Sequence, residues 1–246
     1  MKSLGSMFLP KWLHERLQVE RWYVHEFIRR EALPLMKSGM MVLDAGSGKL
    51  HEQYLRDAIL ATGVTLHTCD LNFGPGVDYE ADVSSMPFDE GSYDIVLNTQ
   101  VLEHVKDPGK VCKELARVLK PSGLLFLTTP QSSPLHNLPW NFFNFTNLGL
   151  GLLMEAAGLE RVKVQPQGGH FALLAFELHW TVREIRRRAM PAVFKVPMML
   201  AAQLLFGLAL KVPLLWLDRF DREPLNTMGW NILYRKPAAA ITLPNE

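Results

Sequence analysis

The sequence predicts an α/β fold, a doubly wound and mostly parallel sheet with helices on both faces and a helical, apolar insertion before its last strand. Three observations predict it. Short apolar runs bounded by turn residues alternate with amphipathic stretches over residues 40–164. A glycine-bearing turn, Ala45-Gly46-Ser47-Gly48, follows the first apolar run. The last strand-like run, residues 230–235, arrives only after the long helical stretch 170–227, where a direct connection needs a few residues.

The elements read in order as follows. Residues 12–33 mix charges with Trp12, Leu13, Leu17, Trp22, Phe27 and Ile28, a pattern for one or two amphipathic helices, and Pro34 and Gly39 then punctuate the chain. Residues 40–44 form a buried strand, 52–62 a helix ending before Gly63, 65–70 a second strand and 77–81 a short third. A fourth strand at 93–98 follows the turn residues Asp89, Glu90 and Gly91. A helix at 108–119 places Val111, Leu115, Val118 and Leu119 on one face. The turn Lys120-Pro121-Ser122-Gly123 leads to a strand at 124–129, then a Pro- and Asn-rich loop, a helix at 146–157 stopped by Gly158, and a strand at 159–164. The domain plan is therefore 1–38, N-terminal amphipathic helices; 39–169 with 228–237, the sheet domain; and 170–227, the insertion.

Composition bounds the function. The 246 residues fit one generous domain, or one carrying a sizeable insertion, and a 48% hydrophobic content is ample for a core. Twenty-six Lys+Arg against 25 Asp+Glu leave a net charge of +1, so no overall field attracts nucleic acid. Cys69 and Cys112 make neither a zinc cluster nor a disulfide framework, so no metal site is expected and a reducing, cytoplasmic compartment is. The N-terminus does not read as a signal peptide, because Lys11, His14, Glu15 and Arg16 interrupt its short apolar run. The most apolar stretch, 196–210, is closed by Lys195 and Lys211 and falls short of the roughly 18–20 residues of a spanning helix.

The glycine turn lets the backbone approach a ligand closely, and the helix after it aims free N–H groups at anionic atoms. Alone it says only that a nucleotide-like ligand is bound. Asp70 ends the second strand, where a carboxylate can accept ribose hydroxyl hydrogen bonds. Asp44 and Asp70 also suit plain strand ends that cap the next turn. Then come Glu80-Ala81-Asp82-Val83, Met86-Pro87-Phe88, Gly91-Ser92-Tyr93-Asp94-Ile95-Val96, Leu102-Glu103-His104-Val105, Asp107-Pro108 and the run from Glu114 to Gly123.

In this order the motifs resemble the class I S-adenosylmethionine-dependent methyltransferases of the small-molecule, type 11 kind, over about 40–165 and again at 229–236. The resemblance implies a Rossmann-like sheet and S-adenosyl-L-methionine as cofactor. It implies that Asp44, Gly46, Ser47 and Gly48 hold the methionine end, Asp70 the ribose, and Leu71 the adenine face. Asp82 and the Val83 N–H would serve the adenine edge, and Asn98 the floor beneath the sulfonium. Leu50 stands where the family often has a third glycine, which is read as a changed helix–strand contact.

Methyl transfer from a sulfonium is an in-line displacement, so the protein mainly aligns the partners and excludes water. A hydroxyl acceptor also benefits from a base, usually His. His136, in the loop 129–146, is the first such residue, against a loop-stabilising role; His104 is either a second base or a wall residue. Trp140, Phe142 and Phe143 are either packing or the wall of an apolar acceptor pocket. The loop resembles a family pattern in which Asp is common at Asn141 and Arg at Asn144, so the ionic pair that would fix it is absent.

In the insertion, Arg183, Arg186, Arg187 and Arg188 precede an apolar helix and then Lys211 and the run 212–217 with Trp216. Basic residues beside apolar helical surface match an interfacial membrane segment over 183–217, and Pro191, Pro197 and Pro213 argue against a clean span. The alternative is a soluble helical lid or homodimer surface. The leading expectation is a methyltransferase, peripheral on the inner face of a membrane, acting on a small or amphiphilic acceptor such as a lipid, a quinone-like ring or a lipid-linked glycan precursor. The other readings are a soluble small-molecule methyltransferase and a non-catalytic cofactor-binding regulator.

Overall fold

The structure, a computed structural model, describes residues 19–48 and 53–238. Leu50, residues 12–18 and the expected helix start at 52 lie outside the described residues. The chain divides into two compact units, one of 25–165 with the 229 strand onward and one of Pro166–Met228 with the segment up to Val24.

In chain order the elements are α1 (Val19–Phe27), a π turn (Ile28–Ala32), a 3-10 turn (Leu33–Leu35), β1 (Met41–Ala45), α2 (Gln53–Leu60), β2 (Thr65–Asp70), β3 (Tyr79–Glu80) and β4 (Tyr93–Thr99). A 3-10 turn (Leu102–His104), α3 (Pro108–Val118), β5 (Leu119–Pro130), α4 (Asn147–Ala156), β6 (Glu160–Pro166), α5 (His170–Arg187), α6 (Ala192–Leu204), α7 (Lys211–Leu217) and β7 (Gly229–Arg235) complete it.

The seven strands lie in the order β3-β2-β1-β4-β5-β7-β6. The pairs β1–β2, β1–β4, β2–β3 and β4–β5 are parallel, whereas β5–β7 is antiparallel. The order reverses between β1 and β4, so the crevice at their C-terminal ends is where such sheets take a ligand.

Strand alternation builds the two cores. Leu43, Val96, Leu125, Leu127, Ile232 and Tyr234 face the cluster under α3 and α4. Their neighbours Val42, Ile95, Leu97, Phe126 and Leu233 face the opposite cluster, with Phe27, Ile28 and Ile59. Each such buried side chain is worth about 1.5–3 kcal/mol. Helix α3 begins where Asp107 accepts from the Lys110 N–H at 3.0 Å and Pro108 needs no partner for a missing N–H. Helix α4 begins at Thr146, whose Oγ1 accepts from the Gly149 N–H at 3.1 Å.

Most boundaries shift by a residue or two from the sequence reading, and four shifts matter for the fold. The third strand is two residues, because only Cys69–Tyr79 and Asp70–Glu80 pair. Strand β5 starts at Leu119, before the expected turn, and Lys120–Gly123 bulge out of its ladder, since Tyr93 pairs with Leu119 and Ile95 with Leu124, with Ser122 at φ 64°. Helix α2 ends at Leu60, and the N-terminal region narrows through π and 3-10 turns into Pro34 instead of staying α-helical to 33.

In the second unit, the 218–221 turn closes the start of α5. Asp218 accepts from the Gly169 N–H at 3.0 Å and the Ala172 N–H at 2.8 Å, and Asp221 from the His170 N–H at 2.8 Å. Tyr23 Oη donates to Asp218 at 3.0 Å. A Cβ on Gly169 would meet Asp221 Oδ2 at 2.4 Å, so the close approach requires glycine. Val19, Ala172, Phe176 and Met228 form its small core. Pro197 and Pro213 lie within a continuous helical run, Ala192–Phe220, of 29 residues, whose most apolar window has mean hydropathy 1.9 and is 12% buried; the run is longer than the expected 196–210 and, by length and composition only, enough to cross a membrane.

Candidate active site

The glycine turn leaves β1 at the reversal point of the sheet. Gly46 N–H and Ser47 N–H both donate to Cys69 O, at 2.8 and 3.1 Å, which folds the turn over the end of β2. Gly46 adopts φ 84°, and a Cβ there would stand 2.4 Å from Val101 Cγ2. Gly48 adopts φ 64°, and a Cβ there would meet nothing within 4 Å among the described residues. Its N–H donates to Asp70 Oδ2 at 3.0 Å, while Asp70 Oδ1 accepts from Asn72 N–H at 2.8 Å. Asp70 is thus locked beside the turn. Leu71 next to it is 66% exposed.

Asn98, fully buried near the end of β4, donates through Nδ2 to Ala45 O at 2.8 Å. Its Oδ1 and the Ser47 Oγ are buried without a hydrogen-bond partner among the described residues. Such buried acceptors call for a donor. Asp44 is half-buried in β1, opposite Thr68 and Leu97. Asp82 is exposed and accepts from Ser84 N–H at 2.7 Å, whereas Val83 is buried in the core. Glu114 holds the following segment: Met86 N–H donates to it at 2.7 Å and Arg117 at 2.8 Å. Burial pushes the Cys69 thiol up to about 12, so it packs, 3.8 Å from Met86 Sδ, and is no nucleophile.

The loop after β5 sits beside the 102–104 turn. Glu103 O accepts from Phe142 N–H at 2.8 Å and Phe143 N–H at 3.3 Å, and Pro130 O from Phe145 N–H at 2.8 Å. His104 Nδ1 bonds Trp140 O, and its ring meets that of His136 edge-on, centroids 4.8 Å apart. Burial, and secondarily His136, hold the His104 imidazole below its ordinary value of 6.5, with the Trp140 carbonyl opposing. Trp140, Phe142 and Phe143 are all exposed.

The structure thus gathers the predicted residues into two groups, the turn with Asp70 and Asn98, and the two histidines with the aromatics. Sequence reasoning missed how the loop is fixed: Asn141 Oδ1 accepts from His136 N–H at 3.3 Å and Asn144 Nδ2 donates to Ser133 O at 3.1 Å, neutral bonds where an ionic pair was looked for. Glu103, named only as part of a motif, is fully buried with Oε1 3.7 Å from His104 Nε2. Its only sequence signal was its adjacency to His104.

A parallel sheet reversing at a glycine turn, with an acidic residue ending the next strand, is a Rossmann-like arrangement for a nucleotide-like ligand. The family profile described as "Methyltransferase domain" matches residues 43–127, and this part of the chain is a class I S-adenosylmethionine-dependent methyltransferase domain of the type 11 family. A Mycolicibacterium smegmatis protein named "Probable S-adenosylmethionine-dependent methyltransferase" is 30% identical over 155 residues, 56% of this chain and 59% of that protein. A ubiquinone biosynthesis O-methyltransferase of Chelativorans sp. is 32% identical over 102 residues, 37% of this chain and 40% of that enzyme. The chain therefore spans under two thirds of the length of these relatives. A crystal structure of a SAM-dependent methyltransferase from Archaeoglobus fulgidus superposes with a TM-score of 0.56 at 16% identity, covering 92% of this chain and 98% of that one, a likeness of fold.

Proposed function

We propose that the whole protein transfers a methyl group from S-adenosyl-L-methionine to a small, amphiphilic acceptor at a membrane surface. The observation that carries the first half is the Gly46–Gly48 turn, tied to Asp70 through the Gly48 N–H. The buried acceptors Asn98 Oδ1 and Ser47 Oγ fit the cationic, donor-bearing methionine end, and Asp44 lies at the same strand end. Asp70 keeps lone pairs for two ribose hydroxyls, Leu71 offers an apolar face to the adenine, and Asp82 with the Val83 N–H would meet its edge. When bound, the cofactor supplies an activated methyl group, so what remains for the chain is alignment, exclusion of water and the handling of one proton. His136 and His104 stand beside one another for that proton, and Trp140, Phe142 and Phe143 supply apolar wall.

The second half rests on the unit 166–228. Val193, Leu200, Leu204 and Trp216 are exposed on a largely unburied apolar run, with Arg183, Arg186, Arg187 and Arg188 ahead of it. Lys195 and the buried Lys211 interrupt the run, which favours lying on the bilayer over crossing it. A lipid-like or quinone-like acceptor would be concentrated there, and a relative named as a ubiquinone O-methyltransferase supports that class. Placement on the cytoplasmic face belongs to the same proposal; both cysteines are free thiols.

The test is incubation of the full chain with methyl-labelled S-adenosylmethionine and anionic vesicles carrying a total lipid extract. Label in the organic phase supports the proposal. Label only in water-soluble acceptors points to the soluble reading, and the absence of label from both, with cofactor bound, to the regulatory one.

A further inference from the structure

The geometry points to a divalent-metal site formed by the Glu103 carboxylate and the Nε2 atoms of His104 and His136. One ligand atom from each of the three residues lies within 4.8 Å of the others. They come from separate loops, the 3-10 turn after β4 and the segment after β5. The adjacent Glu103-His104 pair alone gives no ligand spacing, which is why the sequence led to the expectation of no metal.

The hydrogen bonds fix which nitrogen offers a lone pair. His104 Nδ1 faces Trp140 O, and a carbonyl can only accept, so Nδ1 carries the hydrogen and Nε2 the lone pair. Asn137 Nδ2, which can only donate, lies 3.4 Å from that Nε2 and agrees. His136 Nδ1 lies 3.0 Å from Pro134 O, with Ser133 Oγ at 3.5 Å, and the same logic leaves its Nε2 as an acceptor. Histidines whose other ring N–H is held by a backbone carbonyl are the form that metal ligands take, because the second bond sets tautomer and ring angle.

One nitrogen of each imidazole and the buried carboxylate share one small volume, with His104 Nε2 3.7 Å from Glu103 Oε1. Three electron-pair donors brought this close from separate loops make a donor set that a cation can share. Metal bonds of about 2.0–2.2 Å bring donors closer than they stand here, so loading draws His136 and its loop inward. Two nitrogens and one oxygen suit zinc, manganese, iron(II) or cobalt(II) and leave positions for water or an acceptor oxygen. The site stands or falls independently of methyl transfer.

The full chain, stripped with chelator and dialysed, is titrated with Zn²⁺ alone and with Co²⁺ alone, read by calorimetry and by the visible absorption of cobalt. The expected result is one equivalent per chain, a four- or five-coordinate cobalt spectrum, and affinity lowered by more than about tenfold in H136Q and H104Q. E103Q is to behave likewise if its circular dichroism shows it folded; the histidine variants carry the test if it does not. No saturable binding, or wild-type binding in both histidine variants, overturns the site. Because the probe is the metal alone, that failure leaves the methyl-transfer proposal standing.

Discussion

The imidazole of His104 meets that of His136 edge-on, with centroids 4.8 Å apart, although helix α3 and strand β5 separate them in the chain. Each is steered by a backbone carbonyl, Trp140 O and Pro134 O, and burial, with His136 second, favours the neutral form of His104. Because His104 titrates below 6.5, largely through burial, its basic form persists into mildly acidic solution. In chelator-treated protein, the acid limb of the pH–rate profile should lie below 6.5 if His104 takes the acceptor's proton. H136Q removes the neighbouring charge that depresses His104, so the limb should move upward toward 6.5. H104Q should lower kcat by about 10²–10⁴-fold with little change in cofactor affinity. A limb that H104Q leaves in place would remove His104 from the chemistry.

Gly46 carries two separate constraints. Alanine there meets Val101 Cγ2 and must also adopt φ 84°. G46A should destabilise the fold by about 1–3 kcal/mol and abolish cofactor binding. The double variant G46A/V101A relieves the contact but not the dihedral, so thermal melts should show only partial recovery.

Glu114 fastens the segment around Met86 through the Met86 N–H and the Arg117 guanidinium. The Arg117 hydrogen bond, ahead of opposing burial, holds its carboxyl below the ordinary 4.5. A carboxylate depressed on folding stabilises above its unfolded value, and that contribution is lost as pH falls through the folded one. E114Q should therefore cost about 1–2 kcal/mol at pH 7, and the gap from wild type in denaturant melts should close below pH 4.5.

The exposed run of 192–217 gives the membrane proposal its own readout. Flotation with anionic vesicles should carry the wild type upward. L204D should reduce it strongly, and replacing Arg183, Arg186, Arg187 and Arg188 by Gln should weaken it by about 1 kcal/mol per charge near the surface, more at low salt. If L204D instead splits a dimer and the wild type ignores vesicles, the face belongs to a second copy of the chain.

Much of the sheet was legible because its residues obey local rules. Strand β2 occupies the residues the alternation predicts, and α3 begins at an Asp-Pro cap. What was not legible depends on partners distant in sequence. Lys120-Pro121-Ser122-Gly123 reads as a turn between a helix and a strand, but it is a bulge inside β5, anchored where Ser122 N–H donates to Lys236 O at 3.0 Å. Asn141 and Asn144 read as the loss of an ionic pair, because side-chain-to-backbone bonds leave no charge pattern. The two histidines were each legible, but not their meeting, since a loop path is not written in periodicity.

The central claim is that the turn at Gly46–Gly48 and the carboxylate of Asp70 bind S-adenosylmethionine, and equilibrium binding tests it most directly. Calorimetry of the wild type with S-adenosylhomocysteine, then of D70A, is the measurement. The expected result is one site of micromolar affinity, weakened in D70A by about 1.5–3 kcal/mol, the worth of hydrogen bonds to a charged group. A folded wild type that binds nothing at millimolar ligand, or a folded D70A that binds as tightly as wild type, would contradict it.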